Sequence, residues 1–218
     1  MLVLTIDTAT AAVTAGLAWI GPGGAEIRAE RVTVDARKHG EALAPGIREC
    51  LAEAGASPAD LAAVVAGAGP GPFTGLRVGL VTAAAFAASL RIPAYAVCTL
   101  DAIAASAPGV PLLVASDARR KEVYWATYAP GGTRLTGPSV SKPADVDPGA
   151  SEAVAGAGAD LYDLGLPKTG SPFPAALALA ALAADRVLAN APSEPLTPLY
   201  LRRPDAVEPA ARKIVLAG

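Results

Sequence analysis

The sequence predicts an α/β protein of two related lobes, each of βββαβα type, with the second lobe degenerate. Two observations carry this. A short β-rich run ends in aspartate twice: Leu2 to Ile6 runs into Asp7, and Pro111 to Ser116 runs into Asp117. Alternating strand-like segments and then Ala/Leu-rich helical stretches follow each of them, so the order of the first half returns faintly in the second. The boundary falls near Val97 to Pro111, dividing the chain into residues 1–100 and 101–218.

The elements follow in order. After Leu2 to Ile6, Ala12 to Ile20 and Ala25 to Val34 form a second and third strand around the turn Gly21-Pro22-Gly23-Gly24. Lys38 to Ala54 reads as a helix, because Leu43, Ile47 and Leu51 recur every four residues as one stripe. Pro45 belongs either to its first turn or to a kink. Gly55 ends it as the residue after the cap. Ser57-Pro58-Ala59-Asp60 is a short helical turn with its own start signal. Leu61 to Ala66 is a buried strand, Gly75 to Leu90 a second helix with Thr74 as N-cap and Phe73 stapled onto Val78. Ala94 to Val97 is a strand and Leu100 to Ala105 a helical piece. In the second half, Glu122 to Tyr128, Thr133 to Leu135 and Ala153 to Gly156 are strands, and Ala175 to Asn190 is an Ala/Leu helix. From Ala191 the prolines at 192, 195, 198, 204 and 209 favour an extended, surface-wrapping tail tethered by Tyr200 and Leu201.

Composition bounds the function. With 218 residues, 52% hydrophobic and 17% charged, the chain can bury a core and is not disordered. A net charge of −2 leaves no basic footprint for gripping nucleic acid directly. Cys50 and Cys98 form no spaced cluster, which fits free thiols in a reducing compartment. Met1 leads into Leu-Val-Leu-Thr-Ile without a basic start or cleavage site, so no secretory signal is expected. The greasy stretch Val78 to Leu90 lies between Arg77 and Arg91, short of the ~20 residues of a membrane span. The expectation is a soluble cytoplasmic protein without a membrane contact.

Candidate chemistry is sparse. Asp7-Thr8-Ala9-Thr10 sits at a tight turn, where phosphotransferases of the actin/hexokinase type surround a phosphate with N–H groups and hydroxyls. The plainer reading is a turn whose side chains satisfy their own backbone. The matching turn, Asp117-Ala118-Arg119, has an arginine where close approach of a phosphate needs glycine. Asp7, Thr8, Thr10 and Asp117 are therefore expected to be vestigial phosphate turns. The run Gly67 to Gly75 before a helix can hold an anion, but no Lys follows as in a P-loop, and a connector role is favoured. His39 is the only histidine, which cannot make a hydrolytic metal site, and a solvent-facing helix position is expected for it. Arg119-Arg120-Lys121 and Arg202-Arg203 read as solvated surface. No catalytic, cofactor or metal residue is assigned.

The order of these motifs resembles a family. Asp7-Thr8-Ala9-Thr10, His39-Gly40-Glu41-Ala42-Leu43-Ala44-Pro45 and Gly69-Pro70-Gly71-Pro72-Phe73-Thr74-Gly75-Leu76-Arg77-Val78-Gly79 are similar to the bacterial TsaB (YeaZ) proteins. The likeness continues through Ile92-Pro93, Val97, Thr99-Leu100, Asp117-Ala118-Arg119, Glu122-Val123-Tyr124 and Tyr200-Leu201-Arg202. It implies an actin/hexokinase-like (ASKHA) fold. It also implies a dimerisation subunit that binds the paralogue TsaD, with the ATPase TsaE, for threonylcarbamoylation of tRNA adenosine 37, touching tRNA only through the complex. The metal of TsaD is held by two histidines; Thr99 and Ile103 stand at the corresponding positions here.

A chain without chemistry must work through a surface. The helices Lys38–Ala54 and Gly75–Leu90 carry more apolar and small residues than one buried face needs. The expected partner interface comprises Leu43, Ile47, Leu51, Leu76, Arg77, Leu80, Ala83, Ala84 and Ala87. The resemblance implies pairing of these helices with TsaD, and self-pairing through the same patch in its absence. Two alternatives stand beside this: an actin-like small-molecule kinase using Asp7 and Asp117, and a metallopeptidase of the related M22 type.

Overall fold

The computed structural model describes residues 1–107 and 109–202. Strands β1 (Leu2–Asp7), β2 (Ala12–Gly21) and β3 (Gly24–Val34) form the expected antiparallel meander, closed by the two-residue loop Pro22-Gly23 with Gly21 paired to Gly24. Helix α1 (His39–Glu53) follows. Its end is set by Gly55 at φ +60°, which lets its N–H reach the Ala52 carbonyl (3.2 Å) and the Ala56 N–H reach that of Leu51 (2.9 Å). Pro45 lies in the helix interior rather than the first turn, and its missing N–H leaves the Glu41 carbonyl without its usual donor. At Ser57 the Asp60 carboxylate accepts from both the backbone N–H (2.8 Å) and the hydroxyl (2.7 Å), starting a single 3-10 turn.

Strand β4 (Leu61–Gly67) runs parallel to β1, and β5 (Ala94–Val97) parallel to β4. The sheet order is β3-β2-β1-β4-β5. Between these last two strands lies α2 (Phe73–Leu90), and after them α3 (Thr99–Ala104). The second sheet has the order β8-β7-β6-β9, from β6 (Leu112–Asp117), β7 (Val123–Tyr128), β8 (Arg134–Ser141) and β9 (Ala153–Ala155). It repeats the first meander and its parallel fourth strand but has no fifth among the described residues, so the second lobe is the degenerate one. The fold is an α/β, actin/hexokinase-like arrangement of two such lobes.

Helices α1 and α2 cover one face of the first sheet, burying Leu43, Ile47, Leu51, Leu76, Leu80, Ala83 and Ala87 against Leu4, Ile6, Leu17 and Val64. Each fully buried Leu or Ile there contributes roughly 2 kcal/mol. After the four-residue α4 (Gly158–Leu161), α5 (Ala176–Leu188) covers the opposite face through Leu179, Ala180, Ala183 and Val187. This corrects the division at residue 100. Helix α5 belongs by sequence to the second half but packs on the first sheet, and Thr14 holds it there through a hydroxyl donating to the Pro174 carbonyl at 3.1 Å. Helix α3 joins the lobes, placing Ala102 in the core under α5 and Leu100, Ile103 and Ala104 in the second lobe.

Residues 191–202 carry no regular secondary structure and run extended along the first lobe into the second, as the prolines suggest; Pro204, Pro209 and Arg203 lie outside the described residues. Helix α2 is 18 residues long with a mean hydropathy of 1.5, which by length and composition suffices for a membrane span. Leu76, Leu80, Ala83 and Ala87 pack on the sheet, while Arg77, Val81, Ala84 and Ala88 on the adjoining stripe are exposed.

Candidate partner surface and the closed turn beside it

The turn after β1 is closed upon itself. Asp7 is fully buried; its Oδ1 accepts from the Ala9 N–H at 2.8 Å and its Oδ2 from the Thr99 hydroxyl at 2.6 Å. Burial pushes its carboxyl up to about 6, with the bonds from Thr99 and Ala9 pulling the other way. The Thr8 hydroxyl donates to the Gly75 carbonyl (2.7 Å) and accepts from the Gly79 N–H (2.8 Å), and Thr10 accepts from the Ala12 N–H at 3.1 Å. The glycine-rich loop is folded onto this turn: a Cβ on Gly71 would lie 2.1 Å from the Ala9 carbonyl oxygen, and one on Gly67 would overlap the Asp7 carboxylate. The Thr8 hydroxyl is thus spent on the start of α2, and the Ala9 and Ala12 amides on side chains of the turn itself.

His39 is not solvent-facing. It is buried, with Nε2 2.8 Å from the Thr10 carbonyl; a carbonyl only accepts, so Nε2 carries the proton. A solitary histidine reads as surface in sequence, whereas here it anchors the start of α1 to the turn. Thr74 does not cap α2 either. Pro72 is the N-cap, Thr74 is exposed, and Phe73 stacks on Tyr200 at 4.6 Å between ring centroids, with the Arg77 guanidinium over both rings.

The second turn carries Asp117, whose Oδ1 accepts from the Arg119 N–H at 2.8 Å. Arg119, Arg120 and Lys121 all take left-handed backbone, at φ +62°, +54° and +61°, where glycine fits more easily. Arg202 bonds the Ala118 carbonyl (2.9 Å) and pairs with Glu122, wrapping the tail over this turn. Between the lobes lies a cleft of about 340 Å³ lined by Thr10, Pro72, Ser116, Asp117, Arg119 and Phe173, with Asp7 outside its walls. The structure thus brings Thr10 and Asp117 to one cleft and keeps Asp7 and Thr8 apart from it.

Thr99 and Ile103 do not fit a metal. The Thr99 hydroxyl already donates to Asp7 and accepts from the Gly69 N–H (3.2 Å), and Ile103 is buried in the second lobe's apolar core. Burial also pushes the Cys98 thiol up to about 11.

The expected interface residues divide. Leu43, Ile47, Leu51, Leu76, Leu80, Ala83 and Ala87 face the chain's own core, so their side chains are not offered to a partner as a set. Arg77 and Ala84 are exposed. They belong to an exposed stripe that also holds Val81 and Ala88, which the expected interface left out, with Val81 67% exposed. The signal was present: these residues recur at i, i+4, i+7 and i+11, one position out of step with the buried stripe Leu76, Leu80, Ala83 and Ala87. The exposed stripe lines a groove of about 570 Å³ between α2 and the tail, floored by Leu80, Ala87, Ile92 and Leu196.

Residues 26–218 match the family described as TsaD: tRNA N6-adenosine threonylcarbamoyltransferase. The chain is 52% identical over 206 residues to an uncharacterized protein of Mycobacterium tuberculosis, covering 94% of this chain and 93% of that one. It is 36% identical to the tRNA threonylcarbamoyladenosine biosynthesis protein TsaB of Escherichia coli, over 59% of this chain and 55% of that protein. The solved structure of YeaZ from Pseudomonas aeruginosa superimposes with a TM-score of 0.74 at 28% identity, covering 92% of this chain and 99% of that one. With the closed Asp7 turn, the paired meanders and this full-length likeness, the chain belongs to the TsaB/YeaZ family of TsaD-related proteins.

Proposed function

We propose that this chain is a non-catalytic subunit of tRNA threonylcarbamoyladenosine biosynthesis. It presents the outer face of α2, with α1 beside it, to the tRNA N6-adenosine threonylcarbamoyltransferase TsaD, in a complex that also includes TsaE. The observation that carries this reading is the exposed apolar stripe Val81, Ala84 and Ala88, about 100° round the helix from the stripe Leu76, Leu80, Ala83 and Ala87 that is already buried. A helix apolar along two adjoining stripes and covered on only one of them is half of an interface. The small side chains of Ala84 and Ala88 suit the 8–10 Å approach of a packed partner helix.

The kinase alternative has one feature in its favour, the interlobe cleft, where the Ser116 hydroxyl is buried without a hydrogen-bond partner. Its required carboxylate, Asp7, is sealed behind the turn. The metallopeptidase alternative finds the Thr99 hydroxyl already engaged and no donor atom on the Ile103 side chain, and His39 stands in no group of three metal-ligating side chains among the described residues.

The test is co-purification of the full chain with TsaD and TsaE of the same organism, followed by tRNA modification with and without it. Val81→Asp sets a carboxylate in the middle of the stripe. It should lower TsaD affinity by at least about tenfold and reduce modification in parallel, with unchanged folding. Retained binding and full activity in Val81→Asp would overturn this surface.

A further inference from the structure

Which partner the α2 face accepts is a question that rests on the reading above. The exposed stripe extends to a residue just past the helix: Arg77, Val81, Ala84, Ala88 and Arg91 recur at i, i+4, i+7, i+11 and i+14. That is the spacing of a two-helix seam, and its two arginines are about 21 Å apart along the axis. Helix α2 contains no Asp or Glu. Arg77 is held at its own place by Tyr200, whose hydroxyl accepts from Nε at 2.7 Å, and Arg91 enters no ion pair among the described residues.

The surroundings do not neutralise these charges. On α1, Glu49 (3.1 Å) and Glu53 are taken by Arg31, and exposed Glu41 pairs with neither arginine of the stripe among the described residues. In the tail, Glu194 is taken by Arg186 at 2.8 Å. A second copy docking on the same stripe about a two-fold axis at Ala84 meets this arrangement unfavourably. In the antiparallel sense Arg77 faces Arg91 of the second copy, twice over. In the parallel sense Arg77 faces Arg77 and Arg91 faces Arg91. Like charges set opposite each other in an interface penalise that pairing and select another.

We infer that Arg77 and Arg91 disfavour self-pairing of α2 and select a heterologous apolar helix carrying carboxylates about 21 Å apart. The apolar stripe supplies the contact area, and the two arginines supply the choice between a second copy and a different subunit.

The experiment measures self-association of the purified full chain by sedimentation equilibrium, and its binding to TsaD, for the parent, Arg91→Gln and Arg91→Glu. In Arg91→Glu the antiparallel self-pair gains two attractions between Arg77 and the introduced carboxylate in place of two repulsions. Self-association should tighten about tenfold while TsaD binding weakens about tenfold, with Arg91→Gln between. Raising NaCl from about 50 mM to about 500 mM should tighten parent self-association and loosen the Arg91→Glu self-pair. If Arg91→Glu changes neither equilibrium while Val81→Asp still abolishes TsaD binding, the arginine inference falls and the α2 reading stands. If neither substitution affects TsaD binding, both fall.

Discussion

The Thr99 hydroxyl donates to the Asp7 carboxylate at 2.6 Å and accepts from the Gly69 N–H at 3.2 Å. One side chain at the start of α3 therefore ties the end of β1 to the glycine-rich loop. Thr99→Val keeps the shape but strips a donor from Asp7 and the acceptor from a buried amide. It should destabilise the fold by roughly 2–4 kcal/mol, read from urea unfolding, with Thr99→Ser restoring most of the loss. An unchanged midpoint in Thr99→Val would mean that the bond contributes nothing.

The same carboxylate makes stability depend on pH. Burial raises Asp7 from 3.8 to about 6, so the folded protein holds this proton more tightly than the unfolded chain. The stabilisation is fully present below about pH 4 and is lost as pH rises through about 6. A shift of this size corresponds to ~3 kcal/mol. Asp7→Asn removes the titration, so its stability relative to the parent should improve by about that amount from pH 4 to pH 7. A constant difference across that range would show that Asp7 does not titrate as described.

Glycine is required where the loop meets the turn. In Gly71→Ala the new methyl would lie 2.1 Å from the Ala9 carbonyl oxygen, and neither backbone can withdraw easily. The variant should lose about 3 kcal/mol or more, or fail to accumulate as soluble protein. Gly40→Ala is the control: nothing lies within 4 Å of its added methyl, and it sits in α1, where alanine should gain up to about 1 kcal/mol. Thermal unfolding separates the two, and equal behaviour would contradict the close approach.

The sequence showed most of the strands, the Gly55 stop and the extended tail because those rest on local rules, but it ended the strand at Leu135 where β8 runs on through Gly137-Pro138 to Ser141. It did not show which side of α2 is inside. Leu76, Leu80, Ala83 and Ala87 have the same spacing as Arg77, Val81, Ala84 and Ala88, displaced by one residue, and alanines occur in both stripes. Only the sheet beneath decides between them. Docking of α5 across the lobes was equally hidden, since the Thr14–Pro174 bond joins residues 160 positions apart. For His39 the deciding partner is the Thr10 carbonyl in the turn after β1, 29 residues earlier, and no side-chain pattern announces a backbone acceptor.

The open edge of the first sheet depends on the tail. Strand β5 ends the sheet, and its amides are met by residues that follow α5. Ser193 Oγ accepts from the Ala94 N–H (3.0 Å), the Glu194 N–H donates to the Ala94 carbonyl (2.9 Å), and the Glu194 carboxylate accepts from the Ala96 N–H (3.2 Å). Arg186 reinforces this, pairing with Glu194 and donating to the Ala96 carbonyl at 3.0 Å. The pair is about one-third exposed, so its charge alone is worth under ~1 kcal/mol, and Glu194→Gln, which keeps an acceptor for Ala96, should cost no more than that. Glu194→Ala also leaves the amide unmet and loosens the strap from a strand edge that can template association. It should lower stability by ~1–2 kcal/mol and raise light scattering on heating above that of Glu194→Gln. Matching scattering in the two variants would show that the edge is protected by something other than this carboxylate.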